Sequence, residues 1–326
     1  TKINNKLLKN ILKKYDLVIN NINEVSTGKF NQTYIAEINK VKSNMNLKNK
    51  QINENKVVLR IAPPDDAGYV FYEKNMMARE PKIHQIVSDN TNIPIPEIYV
   101  FDEERDIIDR DYLLMEYIPG KPMSDVKMTS QFKKKIMRST GEYLRELHEK
   151  CEKDKFGYPQ NIGMEMTSDW VSAFEKMWNY LIDDLQKCNI YNLEETEKAR
   201  KALDSHLDIF DKEISASLLH MDIWSQNIMI DEKGNITGIV DWDRGVWGDP
   251  EIEFAVLDYC GFNNPEFWEG YGFKPENSEA SKIRAKFYHL YEVQKYPVIW
   301  INRDPDQIRT EQYKEYSLEI IEELLK

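Results

Sequence analysis

The residues best suited to chemistry are His220-Met221-Asp222-Ile223-Trp224-Ser225-Gln226-Asn227, followed after a short hairpin by Ile239-Val240-Asp241-Trp242-Asp243. The pattern is H-x-D-x4-N, then an apolar pair ending in Asp. Transfer of a phosphoryl group accounts for these residue types at this spacing. One carboxylate must lie near an attacking hydroxyl, orient it and accept its proton. A carbonyl-type side chain and a second carboxylate must hold Mg2+ on nucleotide phosphates. Asp222 is then the base, with Asn227 and Asp241 as metal ligands. Any one of them alone reads as a turn cap. All three, with apolar strand residues between, do not.

Such a loop needs a hairpin behind it. Ile228–Ile230 and Ile236–Val240 pair plausibly across Asp231-Glu232-Lys233-Gly234-Asn235. Around this hairpin the chain from Gln131 onward is mainly helical: Phe132–Cys151, Trp170–Leu185, Leu193–Phe210 and a last helix over 305–325. The first part reads differently. An amphipathic helix over Thr1–Tyr15 precedes strands at Leu17–Val25, Thr33–Ile38 and Lys56–Ile61. The Lys- and Asn-rich stretch Asn39–Asn55 reads as a long exposed connection. A helix is expected over Val70–Val87, offset by Pro81, then strands at Ile98–Phe101 and Tyr112–Tyr117. Pro119-Gly120-Lys121-Pro122 marks a boundary, which divides the chain into 1–118 and 119–326.

The 326 residues carry 44 Lys plus Arg against 56 Asp plus Glu, a net charge of −12, which argues against a nucleic-acid partner. Residues 1–118 hold 17 basic and 17 acidic residues; residues 119–326 hold 27 and 39, so the whole excess lies in the second part. A cleft there would enrich cations, so a cationic acceptor is expected unless the acids are scattered over exposed helix faces. Cys151, Cys188 and Cys260 are too few and too widely spaced for a disulfide framework or a zinc site. Reduced thiols, the lack of a long apolar run and the lack of a signal-like N-terminus make a cytoplasmic protein without membrane contact the expectation.

The segment Leu219–Phe254, with Gly248-Asp249-Pro250 after the D-W-D, resembles the aminoglycoside phosphotransferase and choline kinase superfamily. The resemblance extends over nearly the whole chain. It implies an α+β, bilobal protein-kinase-like fold: a small β-rich N-terminal nucleotide-binding lobe ending in a hinge, and a large helical lobe carrying the catalytic loop and acceptor site. It implies ATP or GTP as co-substrate and Mg2+ as cofactor.

Further site residues follow from the resemblance. Gly28, in Ser26-Thr27-Gly28-Lys29-Phe30-Asn31, falls in the loop over the phosphates. Arg60 stands where the kinase pattern has lysine, with Glu80 as its partner. Whether Arg60 meets nucleotide, Glu80 or both is open. The carbonyl of Glu116 and the N–H of Ile118 would pair with the base. His220 and Asp249 would buttress the loop, and Asp243 is either a metal contact or a cap. Met221 departs from the glycine common at its place. Trp224, Trp242, Trp247 and Trp268 are core, cleft wall or a surface for a cation. Ser168–Cys188, with Asp169, Asp183 and Asp184, is a candidate acceptor wall. The expected function is a small-molecule kinase acting on a hydroxyl of a small cationic acceptor, of the aminoglycoside phosphotransferase type. The alternatives are a kinase for choline, homoserine, methylthioribose or a glycated amine, and a nucleotide-binding pseudokinase. A protein kinase is disfavoured, because no D-F-G or A-P-E element follows.

Overall fold

A computed structural model describes residues 3–25, 30–43, 45–48, 50–159 and 164–326. Helix α1 (Asn5–Lys14) is capped by the Asn4 side chain and buries Leu8, Ile11 and Leu12. Those residues lie against a five-stranded antiparallel sheet of order β1-β2-β5-β7-β6. Its strands are β1 (Ile19–Val25), β2 (Gln32–Ile38), β5 (Lys56–Ile61), β6 (Ile98–Asp102) and β7 (Tyr112–Glu116). β2 alternates buried and half-exposed positions, as a strand with one face on a core does, whereas β5, at the centre of the sheet, ends with Leu59, Arg60 and Ile61 all buried.

Asn39–Asn55 is not simply an exposed connection. It folds into a small hairpin of β3 (Asn46–Leu47) and β4 (Lys50–Gln51), with Leu47 and Ile52 buried beside Leu12 and Leu17. Those two apolar residues, spaced among Lys and Asn, pin the segment down.

The end of α1 is tied to the sheet through Asp102. Its carboxylate accepts from Lys14 Nζ at 2.8 Å, Tyr112 Oη at 2.7 Å, Tyr15 Oη and the Glu104 N–H at 3.0 Å. Burial alone would raise this carboxyl, but the Lys14 and tyrosine hydrogen bonds hold it well below the usual range. A depressed carboxyl stabilises the fold above its unfolded value and loses that contribution as pH falls. Asp102→Asn is therefore expected to cost about 2–3 kcal/mol at neutral pH. The difference from wild type should shrink below about pH 4, measured by urea unfolding across pH.

The helix expected from Val70 begins only at Met76: α2 is Met76–Asn90. Asn75 adopts φ +53, which breaks the helical path. Residues 62–75 instead form a strap that leaves the sheet and docks on the helical part. Gly68, at φ +69, packs so closely on Asn302 that a Cβ would meet it at 2.7 Å. The Phe71 N–H donates to Asp184 at 2.6 Å. Phe71 stacks on Tyr180, and Tyr72 stacks on Tyr158. Burial of two aromatic rings outweighs the weak helical preference of these residues. Pro81 lies inside α2 without ending it.

The C-terminal part begins with β8 (Lys121–Pro122) and α3 (Ser130–Lys150), then β9 (Glu152–Lys153), α4 (Trp170–Lys187) and α5 (Leu193–Asp204). β10 (Ala216–Leu219), the hairpin of β11 (Ile228–Ile230) and β12 (Ile236–Ile239), and β13 (Val246–Gly248) carry the motif residues. Helices α6 (Pro250–Tyr259), α7 (Pro265–Tyr271), α8 (Glu279–Val293), α9 (Lys295–Asn302) and α10 (Gln307–Leu324) complete it. Two three-stranded sheets, β13-β10-β9 and β12-β11-β8, flank the H-x-D loop. The core behind them holds Trp170, Phe174, Trp178, Phe210, Phe287 and Tyr288. Among the described residues no helix is long and apolar enough to cross a membrane.

Candidate active site

The H-x-D loop leaves β10 through a strained turn. Met221 has φ +63, a conformation costing an L residue about 1–2 kcal/mol. That explains why glycine suits the position. Here the turn is held from below: the Met221 N–H donates to Glu253 Oε1 at 2.6 Å. Glu253, fully buried, meets His148 Nε2 at 2.8 Å, and His148 Nδ1 meets Tyr271 Oη at 2.9 Å. His220 is sealed in, with Nε2 on the Val240 carbonyl at 3.1 Å and Nδ1 accepting from the Asp222 N–H at 3.2 Å. Burial lowers its imidazole, so it is neutral and buttresses the loop.

Asp222 projects from this turn with its side chain 27% exposed. Asn227 Nδ2 donates to its carboxylate at 2.8 Å and to its carbonyl at 2.9 Å. Both amide hydrogens being used there, the Asn227 side-chain oxygen keeps its capacity to accept or ligate. On the other side Arg244 Nη1 lies 3.0 Å from Asp222 Oδ1. Arg244 Nη2 reaches Glu292 at 3.0 Å, and Glu292 also holds Lys295. Burial works against the Arg244 charge, but Glu292, Tyr72 and Asp222 keep it protonated.

Across the cleft, Arg60 on β5 pairs with Glu80 on α2, with Asp241, and at 3.2 Å with Asp243. Glu80 is fully buried and lies 3.4 Å from His84 Nε2. Burial would raise the Glu80 carboxyl, yet Arg60 brings it below the usual range. Asp243 is buried and also accepts from Asn31 Nδ2 at 2.9 Å. Burial and the neighbouring Asp241 push its carboxyl well up. Asp241 sits at φ +70 with its side chain 39% exposed, and its carboxyl too is raised, by burial against the pull of Arg60. Three carboxylates share one guanidinium, a formal surplus of two negative charges (three minus one). An all-oxygen set made of Asp241 and the Asn227 carbonyl, in a surplus of that sign, suits Mg2+.

Glu116 ends β7, where its N–H donates to the Glu97 carbonyl at 2.8 Å and its carboxylate accepts the Glu97 N–H at 3.0 Å. Ile118 packs on β12, where a Cβ at Gly238 would meet it at 2.9 Å. Gly28 lies outside the described residues. Asp249 caps α6 and binds Lys212 at 2.8 Å and Tyr288 at 3.2 Å, so it anchors the structure. Trp242, Trp247 and Trp268 are core, whereas Trp224 on the loop is exposed.

The expected acidic wall is otherwise engaged. Asp169 caps α4, Asp183 pairs with Arg200, and Asp184 accepts the Phe71 N–H. Glu194 and Glu323 lie in exposed pairs with Lys198 and Lys286. Sequence reading missed Arg244, Glu292, Glu253 and His148. Only Arg244 carried a local signal, its place directly after Asp243; the others meet the loop through long-range packing.

A five-stranded sheet stands over a helical body, with this loop between them. Residues 37–274 match the model of APH, the phosphotransferase enzyme family, and the chain belongs to that family. A probable ketoamine kinase of Vibrio parahaemolyticus is 23% identical over 215 residues, 64% of this chain and 69% of that protein. The fold is also that of a fructosamine-3-kinase candidate from Haemophilus somnus (TM-score 0.70, 15% identity, 98% of this chain and 97% of that one). The ADP-bound aminoglycoside phosphotransferase APH(2'')-Ib shares it (TM-score 0.63, 16% identity, 99% of both chains).

Proposed function

We propose that this phosphotransferase moves the γ-phosphoryl group of ATP or GTP to a hydroxyl of a small amine-bearing sugar, a glycated amine ahead of an aminoglycoside. The observation that carries the reading is Asp222, partly open to solvent and fixed between the Asn227 amide and Arg244. A carboxylate so oriented takes the hydroxyl proton as the acceptor oxygen bonds to phosphorus and the bridging β–γ P–O bond breaks. ADP or GDP leaves as the second product. Asn227 and Asp241 would hold Mg2+, which neutralises phosphate charge when bound. Arg60, set by Glu80, adds positive charge beside the phosphates, with Gly28 in the loop above them. The Glu116 carbonyl and the Ile118 N–H receive the base. Residues 1–118 act as the nucleotide lobe and 119–326 as the acceptor lobe. The free thiols fit a cytoplasmic setting.

The glycated amine is placed first because the ketoamine kinase similarity is in sequence and the fructosamine kinase likeness has the higher TM-score of the two folds. Charge beside the base balances, Arg244 and Lys295 against Asp222 and Glu292, so the acceptor need not be strongly cationic. A coupled assay for ADP and GDP release tests the proposal, using fructosyl-lysine, ribosyl-lysine, kanamycin, hygromycin B and choline. The expected result is the highest kcat/KM on a glycated lysine. A preference for kanamycin by tenfold or more would move the assignment to the aminoglycoside branch. Turnover with none, alongside tight nucleotide binding, would favour a pseudokinase.

A further inference from the structure

We infer that the open ring face of Tyr259 is a sugar-stacking platform at the acceptor side of Asp222. The inference rests on the proposed function only for the identity of the acceptor. Tyr259, the last residue of α6, is 38% exposed, an unusual position for a large ring in this helix, whose other apolar residues are buried. One of its faces is covered: Tyr296 stacks on it at 5.5 Å and 28°, and Trp300 stacks on Tyr296 at 5.7 Å and 25°. Tyr313 closes the pile edge-on against Trp300 at 4.9 Å. The Tyr259 hydroxyl meets that of Tyr313 at 2.9 Å. The ring is thus fixed before any ligand arrives, so binding on its outer face orders little.

The pile adjoins the base. The Tyr296 hydroxyl donates to Glu292 at 3.3 Å, Glu292 holds Arg244, and Arg244 holds Asp222. The charges of this network cancel, so it offers no net pull on a polycation. A rigid aromatic face recognises a flat, weakly charged partner, and the C–H face of one sugar ring has that character. The platform therefore selects an acceptor by its sugar ring.

Saturation-transfer NMR and titration calorimetry with fructosyl-lysine test this on wild type, Tyr259→Ala and Tyr259→Phe, with the melting temperature of each as a folding control. The expected result is transfer to the sugar-ring protons in wild type and in Tyr259→Phe. Tyr259→Ala should bind about tenfold more weakly, with ATP affinity unchanged. Affinity should hold between low and high salt, because stacking is not screened. No binding by wild type, equal binding by Tyr259→Ala, or a parallel loss of ATP affinity would overturn the platform. Stacking of fructosyl-lysine without phosphate transfer would leave the platform standing and overturn the reading of a glycated amine as the phosphorylated acceptor.

Discussion

Asp222→Asn is expected to lower kcat by about a hundred- to ten-thousandfold while leaving the KM for ATP within about threefold of wild type. The substitution keeps the shape of the side chain. It still offers an oxygen to the Asn227 amide, which donates to Asp222 at 2.8 Å. It also leaves Arg244 its second partner, Glu292. What it removes is the basic site for the hydroxyl proton. Loss of turnover with nucleotide affinity intact is the signature of a group that acts on the acceptor. Asp222→Asn turnover within a few-fold of wild type would withdraw Asp222 as the base. A large rise in the KM for ATP would place it on the nucleotide instead.

Asp241→Asn should act in opposite directions on stability and on function. The Asp241 backbone sits at φ +70, where asparagine is among the few residues tolerated. The side chain's charge is part of the surplus around Arg60, and the buried Asp243 carboxyl is pushed up partly by Asp241. Removing one charge relieves that repulsion, so the ligand-free protein should melt at a higher temperature. The same change takes a carboxylate from the proposed Mg2+ ligands. ATP affinity, raised by Mg2+ in wild type, should then become about tenfold or more weaker and nearly insensitive to the metal. Calorimetry with and without Mg2+, beside thermal melts, reads both effects. Undiminished metal dependence would mean that Asp241 is not a ligand.

The candidate site was legible where its residues lie close together in the chain. Asp222, Asn227 and Asp241 fall within one loop and one hairpin, and the hairpin was readable from its turn residues and alternating apolar positions. The pairing of Arg60 with Glu80 followed from the resemblance, and the structure brings the two together. What the sequence hid was what arrives from a distance. Glu292 lies far along the chain from Arg244, and His148 from Glu253, with no periodicity linking them. Residues 70–75, the end of the strap, read as helix in the sequence because their composition allows one. Only burial of Phe71 and Tyr72 in the helical part decides otherwise. Some of the acidic residues counted in the sequence lie on exposed helix faces beside lysines, such as Glu194 with Lys198 and Glu323 with Lys286, a placement that a residue count does not reveal.

The most direct test of the central claim is mass spectrometry of the acceptor after incubation with ATP and Mg2+, run with wild type and Asp222→Asn. Wild type should convert fructosyl-lysine to a product heavier by one phosphate group, with one ADP formed per phosphate transferred, and Asp222→Asn should form almost none. ADP formed with the acceptor left unmodified, or equal product from both proteins, would contradict that claim.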